Sequence, residues 1–227
     1  MNAEISQNKQ KKTSGDDISK FLLKIVSRIP SSDEEQSTDP LARANSIKSA
    51  AAFRAAAISG SLALPPGPIG MATILPDLAA IWHLQQQVVS DIAGCYGKTA
   101  SLTREVMVYC LFRHGAALFV RDLIVRVGER VLVRRVALRS IQQILQKLGV
   151  RVTQRLIGQT ISRYVPVIGA IGIGSYSYFD TRKVAETAID LFSRNIEVEP
   201  DENNMEQARA VIPRPGRTSG MATADSD

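Results

Sequence analysis

Cysteine, histidine and tryptophan are nearly missing from this 227-residue chain. Two cysteines, Cys95 and Cys110, cannot build a disulfide-stapled scaffold or a cysteine-rich zinc module. The two histidines, His83 and His114, have no Cys or His three or four residues on, so no zinc site is expected. The first seventeen residues are polar, with Lys9, Lys11 and Lys12 and no apolar run behind them. No secretory signal is read there, so the chain is expected to stay in a reducing, cytoplasmic compartment. Apolar residues make up 44% and charged residues 22%, which excludes global disorder.

What is present is unevenly placed. The formal charge is +6. Residues 1–46 are neutral, 47–103 carry +1, 104–163 carry +9 and 164–227 carry −4. Eleven of the twelve basic residues in the third stretch are arginine. Guanidinium groups make planar, bidentate bonds to phosphate or carboxylate, so an anionic partner is favoured. Conversely, Ala55–Pro76 runs for 22 residues without a charge, and Tyr164–Phe179 for 16.

Periodicity organises the rest. Residues 1–16 are expected to be disordered. Ile18, Phe21, Leu22, Ile25, Val26 and Ile29 mark one face of an amphipathic helix, with Lys20, Lys24 and Arg28 opposite, and a linker follows to Pro40. Asp39-Pro40 reads as N-cap and first helical position of an Ala-rich helix reaching about Ile58. Pro76-Asp77 opens another helix that stops near Gly94 or Gly97, and Ser101 caps a third that reaches Val120. In 121–136, Val125, Val127, Val131 and Val133 alternate as in a hairpin turning at Gly128-Glu129. The same residues also fit a helix with an Asp122–Arg126 ion pair. Helix is the reading adopted, because every flanking segment is helical. It would place Arg126, Arg130 and Arg134 in one stripe. Further helices are expected over 140–148, ending at Gly149, over 150–164, and over 175–194 after a Gly-rich segment at 166–174. The domain expected from this pattern spans 41–195, with 196–227 as a disordered tail.

The two charge-free stretches carry the functional argument. A straight 22-residue helix would be about 33 Å long, near the ~30 Å of a hydrocarbon core. Pro65, Pro66 and Pro68 forbid that rod, because each deletes an N–H and clashes with the preceding turn. Two arms of ~15 Å, about half a bilayer each, are expected instead. In the second stretch, Pro166 breaks the chain, and Gly169, Gly172 and Gly174 leave a bare surface for close helix contact. Both stretches could equally be buried hairpins of a soluble bundle.

Conventional chemistry is sparse. Gly97-Lys98-Thr99 looks like the end of a phosphate-binding loop, but Ile92 stands where that loop needs glycine. Gly169, Gly172 and Gly174 reverse the dinucleotide fingerprint, with no strand before it. A hydrolase could join His83 or His114 with Asp77 or Asp180 and Ser59 or Ser175, but no G-x-S-x-G frames either serine. Asp77 is read as charging a helix start, and Asp180 as pairing with Arg182. Nucleic-acid binding is disfavoured, because residues 104–163 hold only Tyr109, Phe112 and Phe119 as aromatics and no recognised motif.

Pro65-Pro66-Gly67-Pro68-Ile69-Gly70, Leu75-Pro76-Asp77-Leu78 and Tyr96-Gly97 resemble the N-terminal half of the EcsC family. Val165-Pro166-Val167-Ile168-Gly169-Ala170 and Tyr178-Phe179-Asp180-Thr181-Arg182 resemble its C-terminal signature. That second signature is also similar to hydrophobic domains attached to certain bacterial GTPases. The match covers roughly residues 45–195, in order. It implies a mostly helical, bacterial, membrane-associated protein, in some members encoded with a transporter, and supplies no catalytic residue. The expectation is therefore an all-α bundle around two Gly/Pro-rich hydrophobic helical hairpins. Its function would be that of a non-enzymatic, cofactor-free accessory or regulatory protein at the inner face of the cell membrane. Its hairpin motifs are Pro65, Pro66, Gly67, Pro68, Gly70, Pro76, Asp77, Pro166, Gly169, Gly172, Gly174, Asp180 and Arg182. Arg126, Arg130, Arg134, Arg151 and Arg155 would meet an anionic membrane surface or a membrane protein. The alternatives are a hydrolase using Asp77 with His83 or His114, and a basic nucleic-acid binder.

Overall fold

The computed structural model describes residues 20, 22–62, 74–159 and 166–199, without the side chains of 61–62, 74–77, 151–159 and 166–173. The chain is mostly helical, with a small sheet. Helix α1 covers residues 22–27. It is followed by α2 (Pro40–Leu62), α3 (Ile74–Cys95) and α4 (Arg104–Val120). A hairpin of β1 (Ile124–Val127) and β2 (Arg130–Val133) then precedes α5 (Leu138–Gln159), α6 (Pro166–Phe192) and β3 (Asn195–Val198). Strand order is β1-β2-β3, antiparallel then parallel.

Local chemistry explains most boundaries. Pro40 starts α2, and the Ala42 N–H donates to Asp39 Oδ1 at 3.0 Å, as the N-cap reading requires. Helix α4 is capped by Thr103, whose hydroxyl accepts from the Val106 N–H, and not by Ser101, which lies in a single 3₁₀ turn. Gly97 has φ +66°, and the Gln36 side chain lies 2.7 Å from where a Cβ would sit, so only glycine fits the chain reversal after α3.

Three helices form the central layer. Helices α2, α3 and α6 pack on one another, α4 lies against α3 and α6, and α5 packs on α4. Ala44, Ala51, Ala52 and Ala55 give α2 a smooth buried face. Gly174 extends that closeness, because a Cβ there would stand 3.1 Å from the Ala56 carbonyl oxygen. The expected amphipathic helix turns its apolar face into this core, with Leu22, Ile25 and Val26 fully covered. Gln86 Nε2 donates to the carbonyls of Ile25 (2.7 Å) and Arg28 (3.2 Å), satisfying the end of α1.

Several expectations are corrected. Residues 121–136 hold no α-helix; the Val alternation is a hairpin, with Val131 and Val133 buried and Val127 paired with Arg130. Gly128 has φ +60° and Glu129 has no positive φ, the signature of a two-residue type II′ turn. Strand propensity and a turn glycine outweigh helical neighbours here, because β2 also gains a second partner from beyond α6. That partner, β3, lies where a disordered tail was expected from 196. The chain is therefore mostly helical, as expected, with this small sheet added. Helix α5 continues through Gly149, and α6 continues through Gly169, Gly172 and Gly174 from its first residue, Pro166. Glycine costs a helix only about 1 kcal/mol against alanine, which packing can offset.

Candidate functional site

The topology of the central layer brings the charge-free sequence together. Gly174 lies against Ala56 and Gly60 while the Tyr178 ring reaches back to Phe53, so α6 runs antiparallel to α2, and Ser177 Oγ donates to Ser59 Oγ at 2.7 Å in a buried contact between them. Cys95 approaches Pro40, so α3 is also antiparallel to α2 and parallel to α6. The end of α2 at Leu62 and the starts of α3 at Ile74 and α6 at Pro166 therefore share one end of the bundle. The sheet lies at the other end, beyond Phe192. On the stretches of α2, α3 and α6 that meet there, Asp77 in the first turn of α3 is the one charged residue. Pro76 and Asp77 thus sit at the helix start read from the sequence. Pro65, Pro66, Gly67, Pro68 and Gly70 lie outside the described residues. Among those described, no helix is long and apolar enough to cross a membrane.

Above this end the seam of α2 and α6 carries exposed aromatics. Phe53 is 67% exposed, Phe179 62% and Tyr176 45%. The Phe53 and Tyr178 rings meet edge-on at 5.3 Å, and Tyr178 and Phe179 at 5.4 Å. The Arg182 guanidinium lies 5.8 Å from the Tyr178 ring centre. Arg182 also pairs with Glu186 at 3.7 Å, not with Asp180 as its spacing suggested.

Asp180 belongs instead to a partly exposed polar cluster between α3, α4 and α6. His114 Nε2 donates to its Oδ1 at 2.7 Å, and Gln85 Nε2 donates to its Oδ2 at 2.8 Å and to Thr181 Oγ1 at 3.3 Å. Burial alone would raise the Asp180 carboxyl, but donation and charge from His114, with Gln85 and Tyr176, hold it below its ordinary value. The helical φ/ψ of α4 breaks at Ala116, two residues after His114. The imidazole is therefore oriented by a carboxylate, the first half of a general-base arrangement. Among the described residues no serine or cysteine hydroxyl or thiol is bonded to His114, and Ser59 and Ser177 are closed on each other. Asp77 has no described side chain, and His83 lies exposed on α3. No three His, Cys, Asp or Glu side chains gather as a metal site among the described residues.

The arginines of 104–163 do not form the expected stripe. Arg126 donates to Asp190 Oδ2, which also accepts from Arg113 at 3.2 Å, while Arg194 bonds Oδ1 at 3.1 Å. Arg130 pairs with Glu197 at 3.2 Å across β2 and β3, and Arg121, not Arg126, pairs with Asp122. The Arg134 N–H closes the hairpin on the Leu123 carbonyl. All three expected stripe residues thus lie at the sheet end, about 36 Å along α6 from Pro166 as judged from Asp190. Arg151 and Arg155 lie in the second half of α5, on the stretch of chain that returns toward Pro166.

Sequence reasoning missed Gln85, Thr181, Lys98 and Asp190, whose partners are mostly distant in the chain. Lys98 Nζ donates to the carbonyls of Phe192 (2.7 Å) and Arg194 (2.6 Å), capping α6. The lysine of the Gly97-Lys98-Thr99 tripeptide is thus occupied by backbone. No family model, no curated protein and no solved structure matches this chain.

Proposed function

We propose that this protein is a non-enzymatic, membrane-associated accessory or regulatory protein of the EcsC type, acting at the cytoplasmic face of the cell membrane. The observation that carries this reading is the convergence of Leu62, Ile74 and Pro166 at one end of the bundle. The described parts of both charge-free stretches, far apart in sequence, thereby meet at one apolar end. In this reading α2 with α3 forms the first hydrophobic hairpin, and the uncharged start of α6 supplies the second apolar segment. The pooled end dips into one leaflet and does not cross the bilayer, since each arm supplies only about half a bilayer of apolar length. Exposed backbone in hydrocarbon is costly, and three prolines in the first hairpin remove three donors that would need partners. Asp77, in the first turn of α3, sits where the positive helix terminus favours a carboxylate. The motif resemblance points to a transporter or secretion system as the process served, and no nucleic-acid partner or cofactor is proposed.

The test is fractionation of cells, followed by salt and carbonate washes, alongside co-sedimentation of the purified chain with vesicles. Association with membranes and binding to vesicles containing anionic lipid is the expected result. A chain that stays wholly in the soluble fraction and ignores every vesicle would overturn the proposal.

A second reading has one observation behind it. The His114–Asp180 hydrogen bond, one of the pairings the sequence left open, would suit a base in a hydrolase. Hydrolytic turnover lost in His114→Gln, with the fold intact, would favour it over the membrane reading.

A further inference from the structure

We infer that the aromatic seam of α2 and α6 is an interfacial collar, resting at the headgroup level of an anionic leaflet and setting how deep the apolar end enters. This rests on the membrane reading above and adds its contact surface. Phe53 and Phe179 are large apolar side chains more than three-fifths exposed, linked through Tyr178 into one edge-on ring ladder. Tyr176 adds a phenol with an exposed face. An exposed aromatic ladder on a helical seam needs an apolar occupant, and what lies above and below it tells which. Toward the apolar end, α2 carries no charge after Arg54, and α6 carries none before Asp180. Charge begins at the ladder itself: Arg54 directly follows Phe53, Asp180 is held by His114 and Gln85, and Arg182 and Lys183 stand toward the sheet end beside Glu186.

Distance agrees with that division. Phe53 lies about 14 Å along α2 from Leu62, and Phe179 about 20 Å along α6 from Pro166. Half a hydrocarbon core is about 15 Å. An end inserted to that depth brings the ladder to the water boundary, where amphipathic rings concentrate. Arg54 and Arg182 then stand at the level of the phosphates. Arg182 lies over the Tyr178 ring, so the cation is held next to the aromatic belt. The wider arginine supply at the sheet end is too far away to serve, and much of it is neutralised by Asp190 and Glu197.

The experiment uses the full chain with sedimenting vesicles, one set of neutral phosphatidylcholine and one with a third phosphatidylglycerol. Phe53→Ser/Phe179→Ser should weaken binding to both sets by about tenfold or more, with an unchanged melting temperature because both rings are exposed. Arg54→Gln/Arg182→Gln should weaken only the anionic set, by about fivefold per arginine, and high salt should abolish the difference. A Phe179→Trp chain should shift its emission to the blue on vesicles, over the constant background of buried Trp82. Binding that persists unchanged in the serine variant, or emission from the Phe179→Trp chain that ignores vesicles, refutes the collar while leaving membrane association standing. If instead the wild-type chain is a dimer in solution and the serine variant a monomer, the seam belongs to a second copy and the inference fails. A wild-type chain that binds neither vesicle set removes the membrane reading itself.

Discussion

Replacing Asp190 with asparagine is the most direct way to ask whether the arginine-rich stretch serves the fold. Asp190 stands near the end of α6 and receives Arg126 from β1, Arg113 from α4 and Arg194 from just beyond its own helix. Its side chain is 32% exposed, so water still screens part of each interaction. A hydrogen bond to a charged group contributes roughly 1.5–3 kcal/mol when sheltered, and an exposed ion pair about 0–1 kcal/mol. Three partners on one partly screened carboxylate place the loss for Asp190→Asn at about 2 kcal/mol. For a chain of this size that is a fall of roughly 4–8 °C in melting temperature. Urea unfolding followed by circular dichroism measures it, and added salt, on the order of 1 M, should narrow the gap between variant and wild type.

The pH dependence has a fixed sign. Burial pushes the Asp190 carboxyl up, but hydrogen bonds and charge from Arg126 and Arg194 prevail and hold it below its ordinary value. Its contribution is therefore complete above the ordinary carboxylate range, near about pH 4, and is lost as pH falls through the lowered folded value. Asp190→Asn should remove part of that acid sensitivity. A cycle with Arg126→Met should show a coupling above about 0.5 kcal/mol. If Asp190→Asn costs less than that at neutral pH and leaves the acid limb unchanged, these arginines are not structural, and assigning them to the fold is wrong.

Gly174→Val should destabilise by about 2–3 kcal/mol, because its side chain must displace the backbone of α2 at Ala56. Gly115→Ala, where nothing lies within 4 Å, should cost nothing, and equal melting temperatures for the two variants would refute the close α2–α6 approach. Burial raises the Cys95 thiol to about 11, helped by the charge of Glu34, and burial raises Cys110 further. Native protein at mildly alkaline pH should therefore react slowly with a thiol reagent and release two equivalents once unfolded, whereas rapid native labelling would contradict the burial of both.

What the sequence by itself determined is whatever depends on neighbours along the chain. Apolar spacing marked the helices, Asp39-Pro40 marked the start of α2, and uncharged runs marked the two apolar stretches, because capping and periodicity act within a few residues. The alternation of Val125, Val127, Val131 and Val133 was legible too, yet it remained ambiguous against a helix. Only β3, arriving from beyond α6, supplies the ladder partner that settles it. Long-range pairing alone decided the rest. Asp180 lay two residues from Arg182 but joins His114 and Gln85, and Arg126 lay four residues from Asp122 but joins Asp190, because packing brings those partners closer than sequence does. The meeting of Leu62, Ile74 and Pro166 at one end likewise follows from the antiparallel set of α2 against α3 and α6, a relation between helices that no single helix encodes.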